Sequence, residues 1–335
     1  MPCYLFQLGH QPQISTAEIQ AVLSLEHPST HIIEHQTNKY LFVDSKKELN
    51  AENLINKLGG TIKISSQFTV QSSELKKNIV NYLNKNQSTG KIEFSLTGGD
   101  KNLPLTIKKE LKMLDRSVRY IEPKNTATIL HNKLVEKKTD LTIINKDIFV
   151  TLAIQPFTEF SERDYGRPGI DDKSGMLPPK LARIMVNLSQ ATKDEIILDP
   201  FCGSGTVLTE ALTMGYNNLI GSDISEKAIQ DTEKNIQWLI ANYHLSAITY
   251  HLNVADATKI SANLQPVSVD TIITEPYLGN PLHGNESKVY IQKQTEELNK
   301  TNMYGTPTIF INGKAFVGPK PYRVYRSAIN KYIFF

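Results

Sequence analysis

Cysteine is scarce: the 335 residues contain only Cys3 and Cys202. They lie far apart, in neither disulfide nor metal-ligand spacing, which argues against a zinc site or a disulfide framework and for a reducing compartment. No run of eighteen apolar residues occurs, and the N-terminus, Met1-Pro2-Cys3-Tyr4, lacks a basic region followed by an apolar stretch. A cytoplasmic protein without membrane segments or bound metal is the expectation. Charge of one sign is also in short supply, since 37 Lys and Arg against 34 Asp and Glu leave a net charge of +3. That balance permits an anionic partner without demonstrating one, because nucleic-acid surfaces are recognised by clustered charge. What remains is an ordinary folded composition, 40% hydrophobic and 21% charged, in a chain long enough for two or three domains.

The first segment alternates strand and helix. Tyr4 to Leu8 reads as a strand, and Ser15-Thr16-Ala17-Glu18 as a capping box opening a helix with Ile19, Val22 and Leu23 on one face. Extended runs at His31 to Glu34 and Tyr40 to Val43, a helix from Ala51 to Leu58 closed by Gly59-Gly60, and a strand at Thr61 to Ile64 complete the order βαββαβ, as in ferredoxin-like folds. A second unit, Ser73 to Gln155, predicts helices near 75–83, 105–114 and 127–136 and strands at 92–96, 118–121, 141–144 and 148–153. It holds Lys108, Lys109, Lys112, Lys133, Arg116 and Arg119 among further lysines. These cations fit either a solvated helical face or a surface that contacts phosphates. The Gly- and Pro-containing stretch Phe160 to Gly175 reads as a linker or binding loop, and Pro178-Pro179 opens a helix bearing Leu181, Ile184, Met185 and Leu188.

The chemistry-bearing motif follows. Glu195-Ile-Ile-Leu-Asp-Pro-Phe-Cys-Gly-Ser-Gly-Thr206 is an apolar strand that enters a glycine turn and then a helix with Leu208, Ala211 and Leu212. That order is expected of a nucleotide-binding α/β sheet. Gly203 and Gly205 allow tight backbone geometry and a close ligand, with Asp199 beside them. A second strand, Asn218 to Ile224, brings Asp223 about twenty residues on, where this architecture places an acid for a ribose; Asp223 or Ser225 also suits the cap of the helix that starts at Glu226. A third strand, 248–252, leads to Asp256 and Ala257, and a fourth, 269–277, ends in Thr274-Glu-Pro-Tyr277. Every one of these strands ends in polar residues at one sheet edge.

Asp199-Pro-Phe-Cys-Gly-Ser-Gly-Thr206 resembles motif I of the amino-methyltransferases of RNA and DNA. The resemblance implies S-adenosylmethionine as cofactor. Asp199, Pro200, Phe201, Gly203, Gly205 and Thr206 would surround its methionine end, Asp223 and Ile224 its ribose, and Asp256 and Ala257 its adenine. Thr274-Glu-Pro-Tyr277 stands where the family carries Asp-Pro-Pro-Tyr, so Glu275, Pro276 and Tyr277 would receive the target amine and stack on a flipped base. One proline is missing, which leaves open whether Glu275 or Thr274 takes the acid's place. Tyr4-Leu-Phe-Gln-Leu-Gly9, Ser117-Val-Arg-Tyr120, Arg163-Asp-Tyr-Gly-Arg-Pro-Gly169 and Ser174-Gly-Met-Leu-Pro-Pro-Lys180 narrow the resemblance to the archaeal and eukaryotic-type tRNA guanine-N2 methyltransferases, over about 1–299. These act on the position-10 guanine with a THUMP domain that grips tRNA. tRNA is then the implied partner, with room for a small activator protein.

The implied fold class is α/β, divided into an N-terminal ferredoxin-like domain at 1–68, a THUMP RNA-binding domain at 69–156, a linker at 157–177 and a Rossmann-like methyltransferase domain at 178–299. Fewer residues follow Tyr277 than the remaining helix-strand units need, so that domain reads as truncated. Residues 300–335, with Tyr304-Gly-Thr-Pro-Thr and a turn at Asn312-Gly313, resemble the end of a DsbA-like thioredoxin domain, with Thr306-Pro307 as its cis-proline turn, yet no Cys-x-x-Cys accompanies them. A fused fragment that truncates the enzyme is favoured over a hairpin that replaces missing strands. Two alternatives stand beside tRNA guanine methylation: transfer to adenine or cytosine amines of DNA or rRNA, and a remnant that binds tRNA or cofactor without turnover.

Overall fold

The computed structural model describes residues 2–27, 30–33, 37–68, 74–171, 176–262, 269–276, 308–311 and 314–317. In its first unit, Met1–Pro276, the chain opens with β1 (Cys3–Leu8), α1 (Pro12–Glu26), β2 (Thr30–Ile33), β3 (Tyr40–Ser45), α2 (Ala51–Lys57) and β4 (Thr61–Gln67), the order expected from the sequence. Ser15 and Glu18 do not form a capping box. The helix already starts at Pro12, and Ser15 Oγ donates to the carbonyl of Gln11 at 3.0 Å. Glu18 is instead buried and accepts from the backbone N–H groups of Gly59 and Gly60, each at 2.8 Å, so it satisfies donors beyond α2 rather than its own helix.

The next region supplies α3 (Leu75–Asn86), β5 (Ile92–Thr97), α4 (Leu103–Met113), β6 (Val118–Tyr120), α5 (Thr126–His131), β7 (Asp140–Ile144) and β8 (Asp147–Ile154). β8 pairs antiparallel with β4, so both regions share one eight-stranded sheet, β2-β3-β1-β4-β8-β7-β5-β6. Separate cores pack on it: Phe6, Leu23, Leu41 and Leu58 in the first region, Phe94, Ile107, Leu111 and Leu141 in the second. Each such side chain contributes about 1.5–3 kcal/mol by burial. Polar residues bridge the seam. Lys63 of β4 is buried and donates to Asp140 of β7 at 2.9 Å, and Thr151 of β8 donates to the same carboxylate at 2.5 Å.

The stretch expected to be a loop from Phe160 begins as a helix, α6 (Phe157–Tyr165). Its buried residues are Phe160 and Arg163, and tertiary contact overrides the polar composition: Arg163 pairs with Glu210, forty-seven positions later, at 2.5 Å. After α7 (Pro179–Ser189) come β9 (Ile197–Asp199), α8 (Thr206–Thr213), β10 (Asn218–Asp223), α9 (Glu226–Tyr243), β11 (Thr249–Val254), a short 3-10 turn at Ala257–Ala262 and β12 (Thr271–Ile272). The last strand is far shorter than the 269–277 expected. These strands form a parallel sheet in the order β11-β10-β9-β12, with Ile197, Leu208, Leu212, Leu219 and Ile236 in its core.

α7 joins the two parts of this unit. Asn187 donates to Glu18 at 2.7 Å and to the carbonyl of Lys57 at 2.7 Å, and Arg183 donates to the carbonyl of Asn56. A Cβ on Gly59 would stand 2.2 Å from the carbonyl oxygen of Lys180, so only glycine allows this approach. In the second unit, Tyr277–Phe335, β13 (Thr308–Ile311) and β14 (Lys314–Val317) form an antiparallel two-stranded sheet, and the turn expected at Asn312-Gly313 lies outside the described residues. The expected cis-proline turn at Thr306-Pro307 lies outside the described residues.

Candidate functional site

β9 buries Ile197 and Leu198 and delivers Asp199 to the carboxyl edge of the parallel sheet. Asp199 Oδ1 accepts from the Phe201 N–H at 3.2 Å and from the Thr274 hydroxyl at 2.6 Å. Burial pushes this carboxyl up to about 7, the two hydrogen bonds pull it back, and the nearby charges of Asp223 and Glu275 add to the rise. The turn after Asp199 is held from several sides. Cys202 N–H donates to the Ser222 carbonyl at 2.9 Å, Thr232 donates to the Gly203 carbonyl at 2.7 Å, and Asn235 donates to the Ser204 carbonyl at 2.8 Å. Gly203 and Gly205 are left-handed, at φ 54° and 82°. A Cβ on Gly205 would come within 2.7 Å of Thr232, whereas nothing lies within 4 Å of the corresponding point on Gly203, which leaves open space over that part of the turn.

Asp223, at the end of β10, ties the next loop to this turn. Its Oδ2 accepts from the Gly203 N–H at 3.0 Å and its Oδ1 from the Ser225 N–H at 2.9 Å, while Ser225 caps α9 through the Ala228 N–H. The two roles weighed for these residues are therefore divided between them. Beyond β11, Asp256 accepts from the N–H and hydroxyl of Thr258, which holds its carboxyl below the ordinary range, and Ala257 begins the 3-10 turn. Phe201, Ile224 and Val254 are exposed by 43%, 76% and 54% along this edge. Neighbouring large apolar groups open to solvent suit a ligand with an aromatic face.

Thr274, Glu275 and Pro276 follow β12, which pairs with β9 on the side away from β10. Thr274 meets Asp199 directly, and Glu275 and Pro276 are exposed. Tyr277 lies outside the described residues. The edge thus gathers Asp199, Asp223 and Glu275 around an open glycine turn with an apolar border, a set of acceptors suited to a ligand that carries positive charge and hydroxyl groups.

The basic residues singled out in the sequence belong to the other sheet. Lys109, Lys112 and Lys133 are exposed and Lys108 half-buried. Arg119 stands 3.5 Å from Glu93, and Arg116 is committed to Asn84 at 2.7 Å and to the backbone carbonyls of Gln87 and Gly90. Sequence reasoning missed the network beneath the glycine turn. Glu210 of α8 is buried between Arg163 and Arg183, and both guanidiniums also lie over the Phe160 ring, at 4.8 Å and 4.9 Å from its centroid. Arg167 donates to Thr206 at 2.5 Å, and Gly169 exchanges hydrogen bonds with Asn235. One signal was available: three of the chain's seven arginines fall between 163 and 183 in a lysine-rich protein, and Arg is the cation suited to buried bidentate pairing.

Parallel strands in the order β11-β10-β9-β12, a glycine turn after β9 and an acid ending β10 define an S-adenosylmethionine-dependent methyltransferase domain of Rossmann-like α/β fold. The chain belongs to the N6/N4 methylase family, whose model, described as DNA methylase, matches residues 39–234, more than half of its length. A second model, UPF0020, an RMKL-like methyltransferase domain, matches residues 169–312. The tRNA (guanine(10)-N2)-dimethyltransferase of Methanothermobacter thermautotrophicus is 37% identical over 105 residues, covering 31% of this chain and 28% of that protein. The Pyrococcus abyssi enzyme of the same name is 34% identical over 136 residues, covering 40% of this chain and 38% of its own. The chain thus spans well under two thirds of these relatives. Among solved structures, TrmN from Thermus thermophilus is similar at 15% identity and a TM-score of 0.47, with 86% of this chain and 81% of that one covered.

Proposed function

We propose that this chain is a tRNA methyltransferase that transfers a methyl group from S-adenosylmethionine to the N2 amine of a guanine, of the position-10 type. The observation that carries the reading is the 2.6 Å hydrogen bond from Thr274 to Asp199, which fastens the acidic segment Thr274-Glu275-Pro276 to the strand that presents the glycine turn. Donor and acceptor sites are thereby adjacent. The tRNA substrate is supported by the names of relatives 34–38% identical to this chain.

S-adenosylmethionine supplies the methyl as a sulfonium electrophile. The glycine turn, Asp199 and Asp223 would hold the cofactor's methionine and ribose parts, and Asp256 its adenine. Glu275 accepts hydrogen bonds from the amine of a guanine flipped out of its stack and aims its lone pair. With the cofactor bound, its sulfonium methyl would be the group passed to the guanine amine nitrogen, with the sulfur as leaving group and the amine proton released to solvent. Alignment and a matched electrostatic site suffice for this step without a strong base. Residues 1–68 and 69–156 act as the ferredoxin-like and THUMP domains, with Lys108, Lys109, Lys112, Arg119 and Lys133 toward phosphates and Arg116 supporting the fold beneath them.

A second reading, transfer to adenine or cytosine amines of DNA, is favoured by the DNA methylase model alone. Incubation with labelled S-adenosylmethionine and either unmodified bulk tRNA or duplex DNA, followed by nucleoside analysis, separates the two. N2-methylguanosine from tRNA is the expected product; N6-methyladenine or N4-methylcytosine from DNA would replace the first reading by the second.

A further inference from the structure

Phe157, Phe160, Ser161, Asp164 and Tyr165 fall at helical spacing on one face of α6. Phe160 is buried, whereas Phe157 and Tyr165 stand 37% and 78% exposed. The start of α7, through Pro179 and Lys180, closes this face into a cleft of about 200 Å³. That volume lies below the roughly 300–1,000 Å³ of pockets that enclose a whole small molecule. The occupant it fits is a single ring system presented by something larger.

The walls of the cleft narrow the chemistry. Phe157 and Tyr165 have no ring or cation partner among the described residues, and exposed rings of this size offer a platform for another flat ring. Lys180 Nζ lies 5.5 Å from the Phe160 centroid, a ring that Arg163 and Arg183 also cover. Those two arginines share Glu210, which leaves Lys180 without an ion-pair partner among the described residues. Burial holds its ammonium below the ordinary range, so an anion beside it is favoured. Asp164 is half-buried on the same wall and accepts no hydrogen bond among the described residues. A flat ring, donors along its edge and an attached anion are the parts of one nucleotide. An apolar peptide side chain or a lipid tail would leave Lys180 and Asp164 unanswered.

We propose that this cleft holds one unstacked nucleotide of the RNA substrate, its base against Tyr165 and Phe157, its Watson–Crick edge donating to Asp164 and its phosphate against Lys180. The inference rests on the substrate being RNA. None of Asp199, Asp223 and Glu275 lines the cleft, so this nucleotide is a second one, separate from the guanine that receives the methyl. The stretch between β8 and β9, read from the sequence as a linker or binding loop, thereby becomes a contact that holds the RNA strand outside both sheets.

Fluorescence anisotropy of labelled, unmodified tRNA titrated with the full chain across a series of salt concentrations tests this directly. Tyr165→Ala should weaken binding by about fivefold or more, the scale of losing one base stacked on an aromatic ring, while Tyr165→Phe should stay within about twofold of the unsubstituted chain. Lys180→Met should reduce the slope of log affinity against log salt by about one, the signature of one lost phosphate contact. Should Tyr165→Ala fail to fold, the salt slope of Lys180→Met decides. Tyr165→Ala binding within about twofold of the unsubstituted chain, equal loss in Tyr165→Ala and Tyr165→Phe, or an unchanged slope in Lys180→Met overturns the inference. Failure of the unsubstituted chain to bind tRNA at all overturns the RNA reading itself, which is a distinguishable result.

Discussion

Replacing Glu210 by glutamine keeps the shape of the side chain and removes the charge between two guanidiniums. Glu210 is fully buried, Arg163 and Arg183 are 4% and 5% exposed, and the Nε atoms of the two arginines reach its oxygens at 2.5 Å and 2.9 Å. With the carboxylate gone, two like charges face each other in the interior with no counter-charge among the described residues at hydrogen-bond distance, Glu159 standing 3.9 Å from Arg163. Breaking a buried ion pair in this way costs roughly 3–5 kcal/mol. At about 2–4 °C per kcal/mol for a chain of this size, the thermal midpoint should fall by roughly 6–20 °C. Because α8 begins at Thr206 and α7 reaches α2 of the first region through Arg183, cofactor affinity should weaken as well. Thermal and guanidinium unfolding of Glu210→Gln beside the unsubstituted chain gives the measurement. A change within about 0.5 kcal/mol, the usual range for surface substitutions, would refute the claim that this triad holds the catalytic domain together.

Further outcomes follow from the same edge. Asp199 has a folded pKa of about 7 against an ordinary 3.8, so the native state binds its proton more tightly than the unfolded state; its contribution is complete below about 3.8 and is lost as pH rises through about 7. Asp199→Asn should therefore flatten the urea midpoint between pH 4 and 7, leaving a residual slope between about 4.5 and 6 from buried Glu18, and an unchanged profile would remove Asp199 as the source. Asp199→Ala should abolish cofactor binding while tRNA binding persists; equal loss of both would argue against the domain division. Glu275→Ala should spare cofactor binding and remove turnover, and full turnover by this variant would assign the acid elsewhere. Gly221→Ala should lose roughly 1–3 kcal/mol by overpacking, since its Cβ would meet Leu208 at 2.6 Å and Leu252 at 2.7 Å; denaturant unfolding reads the loss.

The parts legible in the sequence were those fixed by short-range pattern. The βαββαβ order followed from alternating apolar runs with glycine stops, and the strand, glycine turn and helix from Ile197 to Thr213 followed from one contiguous motif. Asp223 could be placed by its distance along the chain, and its bond to Gly203 agrees with that placement. What escaped depends on partners distant in sequence. α6 looked like a loop because Arg163 and Phe160 gain their burial only against α7 and α8. Glu18 looked like half of a capping box because its true partners, Gly59, Gly60 and Asn187, lie 41 to 169 positions away. The single sheet through β4 and β8 was equally invisible, since pairing register between strands far apart is not written in either strand alone.

The central claim is methyl transfer to the N2 amine of one guanine, and inosine, which lacks only that amine, tests it most directly. An unmodified tRNA carrying guanosine at position 10 should accept label from S-adenosylmethionine and yield N2-methylguanosine, and the same tRNA with inosine there should accept none. Equal labelling of the two tRNAs would contradict the account.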